Sequence, residues 1–477
     1  MPLGEINPED LFTPRQYQLE GAKFISTKRT PTQRGSILAD AMGVGKTGQA
    51  CIAWHNLGLA GPALLIARPS TQSVWLNQAW RWKTQTPYII DGQKKQRLKL
   101  WDEVSKYSFM ASTLETIRQD IDIVAKIPWQ IIIMEEAHKV SNRKTSGWKT
   151  VKKLHPEHFI LITGSPMRRG FGDLWALLNI CDPTRWSSYW GYLQSYGFMQ
   201  KNEYGAWEVL GLKEGELLAR AISPYYLSRT MPEEVPAKTR ILDHKLNLTD
   251  GQAQLYDDLV EEMVSELSDG SMLVAQNDLV RLTRLRQILC TPKILDPNQD
   301  YGALLEHLGE MLEDTDDHHF VVFTPFSAAI PIIRHYLLFA AKIDQEKIFS
   351  LQGGLKALEV SQIIEAWQKA QGVMICTIPF AESFDLVPAT WAYFCGFAWS
   401  PDSNLQAEDR LRRMTTKVKT FFYYPTHIGR VDEQLVLEVC NEKAGEMLKV
   451  YNSYQGLRRL LGRENSMHSM DSMDSIA

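Results

Sequence analysis

The 477 residues exceed one ordinary domain and suit two or three. Apolar residues make up 44% and charged residues 23%, ordinary values for a globular protein with a sizeable core, and no apolar run reaches the length a membrane helix needs. The net charge of −4 argues against a dedicated sequence-reading DNA protein, so any affinity for phosphate must come from local clusters.

The opening MPLGEINPEDLF is polar and acidic, unlike a secretory signal. SILAD reads as a first strand, followed by the glycine-rich AMGVGKT and a helical GQACIAWHNLGLA. ALLIAR, YSFMAS, WQIIIM and HFILIT read as four further strands, with helical segments between them. Nearly unbroken apolar strands alternating with helices predict a parallel sheet covered on both faces. From about 185 to 300 the pattern gives way to helices and loops, with DGQAQLYDDLVEEMVSEL predicted as one amphipathic helix. The alternation returns in HFVVFT, IFSLQ, GVMICT, WAYFCGF and TFFYYP. The expected fold is α/β: a first lobe over 1–235, a helical linker over 236–300 and a second lobe over 301–460. The polar 461–477 segment, with Met-Asp-Ser said twice, is expected to be a disordered tail.

Six cysteines, at 51, 181, 290, 376, 395 and 440, form no CxxC pair. Neither a zinc site nor a disulfide framework is suggested, and a reducing compartment fits. Positive charge is clustered: Arg81, Lys83, Lys94, Lys95, Arg97 and Lys99; Lys139, Arg143, Lys144, Lys149, Lys152 and Lys153; Arg281, Arg284 and Arg286; and Arg410, Arg412, Arg413, Lys417 and Lys419. Any one of these reads as a solvated surface; four in one chain of net negative charge suit contact with a phosphate backbone. Glu306, Glu310, Glu313, Asp314, Asp316 and Asp317 make an acidic face that should point away from it.

The strongest chemical signal is LADAMGVGKT, with a strand before it and a helix after it, the context a P-loop requires. Gly43 and Gly45 let the backbone turn its N–H groups toward phosphate, Lys46 reaches the β- and γ-phosphates, and the Thr47 hydroxyl holds Mg²⁺. Asp40 stands where the general pattern has its first glycine. In WQIIIMEEAH a buried strand ends in Glu135 and Glu136, suited to holding Mg²⁺ and polarising a water. In FILITGSP the hydroxyls of Thr163 and Ser165 could relay the state of the nucleotide. QAEDRLRRM places Arg410 and Arg413 three apart on one predicted helix face, as candidate arginine fingers or as an ordinary basic surface.

Together these strings resemble the Swi/Snf-related translocases of helicase superfamily two, from about residue 11 to 450. PRQYQLEGAKFI is similar to the family's adenine-recognising motif, which implies nucleotide contacts from Arg15 and Gln18. Asp40 is the residue this family carries in its P-loop. LLIARPSTQSVWLNQAWRW, MASTLETIR and TIPFAESFDL resemble its DNA-contacting motifs, which implies phosphate contacts at Pro69, Ser70, Thr113 and Thr377. His138, Thr163, Ser165 and Gln406 fall on positions that couple hydrolysis to movement. YYLSRTMPEEVPAKTRILDHKLNLTDGQAQLYDDL and RLTRLRQILCTPKIL look like Swi/Snf connecting sequence.

The resemblance implies two RecA-like lobes, with ATP and Mg²⁺ as cofactors and a nucleotide cleft between the lobes. It also implies a sequence-nonspecific monomeric motor on double-stranded or branched DNA, with no membrane role. Three positions depart from the family: Glu135 replaces the usual aspartate, Phe380, Ala381 and Ser383 replace glycines, and Thr415 and Thr416 replace Gly-Gln. A chain stripped to its motor points to a bacterial or virus-infected bacterial cell, cytoplasmic and nucleoid-associated. The rivals are a strand-separating helicase and a nucleotide-gated DNA-binding protein.

Overall fold

The computed structural model describes residues 11–433, apart from 59–60, 106–107, 168–169, 202–204, 206, 214, 232–234, 262–263, 267–271, 275–277, 314–318, 356, 382–383, 399–400 and 414–415. The expected tail, Ser383, Thr415 and the aspartates at 314, 316 and 317 lie outside the described residues. The chain divides into two compact units between Thr230 and Met231.

The first unit follows the predicted alternation. Its helices are α1 (Gln16–Ser26), α2 (Lys46–Leu57), α3 (Pro69–Gln78), α4 (Lys94–Asp102), α5 (Leu114–Gln119), α6 (Ile121–Val124), α7 (Ser146–Lys152), α8 (Gly172–Cys181), α9 (Tyr189–Tyr196) and α10 (Gly215–Ile222). Its strands are β1 (Gly35–Leu38), β2 (Ala63–Ile66), β3 (Tyr88–Ile89), β4 (Phe109–Ser112), β5 (Ile131–Met134), β6 (His158–Ile162), β7 (Gly197–Lys201), β8 (Trp207–Leu212) and β9 (Tyr226–Leu227). Seven strands form one parallel sheet in the order β3-β4-β2-β5-β6-β1-β9, and β7 and β8 form a separate antiparallel hairpin.

The strands are apolar throughout because both faces are covered. In β5, Ile131 and Ile133 face a cluster with Trp54, Trp75 and Leu65, while Ile132 and Met134 face one with Trp101, Trp129 and Leu64. Each such side chain contributes roughly 1.5–3 kcal/mol when fully buried.

One predicted surface cation is internal. Arg97, on α4, forks onto Asp120 through Nε (2.8 Å) and Nη2 (2.9 Å), and the Trp101 indole donates to the same carboxylate at 3.0 Å. Its charge is therefore spent inside the unit and is withdrawn from the phosphate-facing cluster.

His158 opens β6 inside the core, and its Nε2–H donates to the carbonyl of Ile25 at 2.6 Å. Burial pushes its pKa down from 6.5 to about 4. The unfolded chain binds the proton first, so this group's stabilisation is complete above pH 6.5 and is lost as pH falls toward 4. The loss is about 3 kcal/mol. Urea unfolding of the first unit should weaken by that order across this window. His158→Gln, whose amide can donate to Ile25 without titrating, should flatten the profile; an unchanged profile would exclude His158 as its source.

The second unit has its own parallel sheet. Its elements are β10 (Lys238–Ile241), β11 (Lys245–Leu246), α11 (Asp250–Glu261), β12 (Val264–Glu266), β13 (Met272–Val274), α12 (Asp278–Cys290), α13 (Ala303–Glu313), β14 (Phe320–Thr324), α14 (Ala329–Phe339), β15 (Ile348–Leu351), α15 (Ala357–Ala370), β16 (Val373–Thr377), α16 (Ile378–Ala381), β17 (Trp391–Phe394), α17 (Pro401–Glu408), β18 (Thr420–Tyr423) and β19 (Thr426–His427). Six strands pair in the order β10-β18-β17-β14-β16-β15, all parallel. Val321 and Phe323 of β14 face one core cluster, and Phe320 and Val322 the other.

Two predicted helices end early. The long helix from residue 250 stops at Glu261, and Val264–Glu266 instead pairs antiparallel with Met272–Val274. A cross-strand partner of this kind leaves no mark in the period of the segment itself. QAEDRLRRM ceases to be helical after Glu408, so Arg410 lies in the turn that follows, Arg413 lies beyond that turn, and the two share no helix face. Glu408 is buried and tied to Arg240 through Nε (2.6 Å) and Nη2 (2.8 Å) and to the Tyr424 hydroxyl (2.7 Å). Arg412 donates to the carbonyls of Pro236 (2.8 Å) and Val235 (3.0 Å). These distant partners pull the backbone out of the helical path that local propensity favours.

Candidate functional site

β5, β6 and β1 lie side by side, so their C-terminal ends bring three sequence motifs to one edge of the first sheet, where open α/β sheets bind ligands. β1 leads into Asp40–Thr47, β5 into Glu135–His138 and β6 into Thr163–Ser165.

The loop after β1 is wound by Gly43 and Gly45 at φ 80° and 81°. Gly45 caps the start of α2 in a left-handed conformation that side-chain-bearing residues rarely adopt, and a Cβ there would lie 2.4 Å from Gln18 Nε2 and displace that amide. Gln18 is thereby seated against the loop. Its Oε1 accepts the Arg15 amide at 2.9 Å, and the neighbouring Tyr17 hydroxyl donates to the Val44 carbonyl at 3.1 Å. Lys46 Nζ donates to the carbonyls of Asp40 (2.8 Å) and Ala41 (3.0 Å).

Asp40, fully buried, accepts from Arg229 Nε at 3.0 Å, while Arg229 Nη2 also reaches Gln49 at 2.6 Å. Sequence reasoning read YYLSRT as connecting sequence and missed this arginine, because no local pattern links it to Asp40. Arg229→Ala should cost about 3–5 kcal/mol by leaving Asp40 buried and unpaired. Calorimetric melting of Arg229→Ala beside Arg229→Ala/Asp40→Asn checks this: the double variant should recover part of the loss, and a change below about 1 kcal/mol in the single variant would refute the anchor.

Glu135 lies against the P-loop threonine. The Thr47 hydroxyl is 3.4 Å from Glu135 Oε1, and the indole N–H of the fully buried Trp75 donates to the same oxygen at 3.1 Å. Burial and the adjacent Glu136 charge push the Glu135 carboxyl up to about 7, against the opposing pull of Lys46 and the Trp75 and Thr47 hydrogen bonds. A hydroxyl and a carboxylate in contact are hard oxygen donors, and the crowded carboxylate pair is one a divalent cation would relieve. Mg²⁺ needs only one or two protein oxygens beside phosphate and water, so the donor set fits.

Glu136 sits at φ 50°, a strained setting for a side-chain-bearing residue. Its carboxylate lies 3.1 Å from His138 Nδ1, which is also 3.2 Å from the Thr163 hydroxyl. The Ser165 amide donates to that same hydroxyl at 3.2 Å. A Cβ on Gly164 would stand 3.8 Å from Lys46 Nζ, which places the turn after β6 against the phosphate loop. The coupling candidates His138, Thr163 and Ser165 therefore form one chain of contacts running from Glu136.

Pro69 and Ser70 open α3. Thr113 caps α5, its hydroxyl accepting the Thr116 amide at 3.1 Å. In the second unit Thr377 ends β16 and Gln406 lies on α17, both buried, and Arg413 pairs with Asp385. The glycine-poor stretch after Thr377 forms the single turn α16, whose Ile378 and Ala381 are fully buried in the core with Phe380 packed against them.

The SNF2-related domain family matches residues 17–294, and the helicase conserved C-terminal domain matches 303–415. The chain belongs to the SNF2-related family. It carries that family's helicase-like ATP hydrolase core. Among curated relatives, the CHD3-type chromatin-remodeling factor CHR7 of Arabidopsis thaliana is 24% identical over 92% of this chain and 38% of its own. Human chromodomain-helicase-DNA-binding protein 7 is 23% identical over 96% of this chain and 16% of its own. The chain thus spans well under half the length of these SNF2-related relatives. A solved Sulfolobus solfataricus SWI2/SNF2 ATPase core in complex with dsDNA aligns over 96% of this chain and 99% of that one, at 21% identity and TM-score 0.43. The expected bacterial, cytoplasmic setting is corrected by the relatives, which are plant and vertebrate proteins named as chromatin-remodeling or chromodomain-helicase proteins. Among the described residues no helix is long and apolar enough to cross a membrane.

Proposed function

We propose that this chain is a DNA-dependent ATPase that translocates on double-stranded or branched DNA without reading sequence, as a monomer, remodelling forks or displacing bound protein. The meeting of the P-loop, the Glu135–Glu136 pair and the Thr163–Ser165 turn at one sheet edge of an SNF2-related chain carries this reading. In it, Lys46 binds the β- and γ-phosphates, Thr47 and Glu135 hold Mg²⁺, Glu136 orients the attacking water, and Arg15 and Gln18 bind the base. Bound Mg²⁺ would neutralise charge on the phosphates. Arg410 and Arg413 serve as arginine fingers in the same reading. Pro69, Ser70, Thr113 and Thr377 would touch phosphates, which carry no base information. The domain limits of 1–235, 236–300 and 301–460 belong to the same proposal, and relatives named as chromatin-remodelling factors favour bound protein as an obstacle.

Steady-state ATPase with no DNA, single strand, duplex and forked DNA tests the proposal. Duplex should stimulate more than single strand, and affinity should fall steeply with salt. A triplex-forming strand should be displaced during turnover while a plain duplex stays paired. Efficient unwinding of the plain duplex would move the assignment to a strand-separating helicase.

A further inference from the structure

The first unit holds a cavity of about 460 Å³, lined by none of the residues assigned above to nucleotide. It lies between the segment Ser141–Lys144, the start of α8, and the side formed by α9 and the β7–β8 hairpin. Its walls are aromatic. Trp175 and Tyr189 meet edge to face with ring centres 5.3 Å apart, and Trp190 and Trp207 stand 48% and 54% exposed at the cavity. Two indoles left in solvent on one cavity are unusual surface for a folded chain, and such concave aromatic sites are where ligands bind.

The charge of the walls selects among ligands. The Arg143 guanidinium lies 4.2 Å from the centre of the Tyr189 ring, and Lys144, exposed, follows it in the same wall. Among the described residues, Asp173 is the one carboxylate on the lining. A methylated lysine would meet two cations and would compete with Arg143 for the Tyr189 face. A flat ring carrying a phosphate meets none of these objections: indoles stack on any base, and Arg143 and Lys144 offer donors to the phosphate. The volume falls in the range of small-ligand pockets.

We infer that this cavity binds an unpaired nucleobase together with its adjoining phosphate, so that the chain recognises single-stranded DNA at a place separate from the nucleotide site. The inference rests on the reading of the chain as a DNA motor. It supplies what that reading lacks, a means of telling branched DNA from plain duplex.

The test uses the full chain, without nucleotide, and two labelled strands of equal length: oligo(dT) and an abasic deoxyribose-phosphate strand. Anisotropy should show at least tenfold tighter binding of oligo(dT), with quenching of tryptophan fluorescence. Trp190→Ala should erase most of that base preference. Trp190→Phe should keep much of it, and Lys144→Glu, at an exposed position, should weaken both strands. Duplex-stimulated ATPase should be unchanged in Trp190→Ala. Equal binding of the two strands, or a preference indifferent to Trp190, would overturn the inference while leaving the motor reading intact. Failure of every DNA to stimulate the ATPase would overturn the motor reading, with the base preference still measurable. Tighter binding of a trimethyl-lysine peptide, lost in Trp190→Ala, would reassign the cavity to protein and overturn the inference.

Discussion

Lys46→Ala should abolish DNA-stimulated ATP hydrolysis, with a loss on the order of 10³-fold or more, while the first unit keeps its melting temperature. The first half follows from charge. Lys46 is the cation of the phosphate loop, and in phosphoryl transfer catalysis is almost entirely positioning and charge stabilisation. The second half follows from what else holds the loop. Asp40 is fixed by Arg229 and Val44 by the Tyr17 hydroxyl, neither of which needs the lysine. The two carbonyls that Lys46 Nζ now meets are loop carbonyls at a partly exposed site and can turn to water. Alanine at the first position of α2 is also a good helix former. Phosphate release and calorimetry on the same preparation decide it. A near wild-type rate with unchanged melting would remove Lys46 from the phosphate site; a large drop in melting would mean that the lysine holds the fold.

Much of this site was legible because its parts are local strings whose meeting is imposed by topology. A strand ending in GVGKT, another in EEAH and a third in TGSP need only be neighbours in a parallel sheet for their ends to converge, and β1, β6 and β5 are neighbours. What sequence concealed are the pairings between distant positions. Arg229 and Asp40 stand 189 residues apart, and Trp75 and Glu135 stand 60 apart. No periodicity links them, and an arginine buried against an aspartate looks on paper like any charged residue. Arg97 shows the same blindness, counted with a solvated basic cluster yet spent on Asp120. The arginines after Glu408 show it for secondary structure, where long-range ties to Arg240, Val235 and Pro236 override a helical string. The aromatic cavity went unread for a related reason: its tryptophans come from α8, α9 and a hairpin, and only folding sets them facing one another.

Glu135→Ala should leave almost no turnover, and Glu135→Asp should stay within roughly tenfold of the natural chain, about 1.4 kcal/mol in the barrier. An aspartate is usual at this place in the family, and Mg²⁺ is strict about octahedral geometry, so one extra methylene must be absorbed somewhere. The structure shows where. Glu135 Oε1 is held between the Thr47 hydroxyl at 3.4 Å and the Trp75 indole N–H at 3.1 Å, so the longer side chain is fixed beside the hydroxyl proposed to share the metal. Alanine removes the anion altogether. Aspartate keeps the charge but loses reach toward Trp75, leaving a buried indole N–H without its acceptor, which is why a modest cost is expected rather than a gain. Trp75→Phe should then weaken Mg²⁺-dependent nucleotide binding in the natural chain but have little effect in the Glu135→Asp background, and binding measured without turnover separates this from a defect in chemistry. A nucleotide-gated protein without hydrolysis predicts otherwise: the natural chain would bind ATP and release no phosphate, and Glu135→Asp would either revive release or change nothing. Phosphate release from the natural chain, Glu135→Asp and Glu135→Ala, side by side on duplex DNA, distinguishes the two, and silence from the natural chain on every DNA would sink the reading of Glu135 as a working metal ligand.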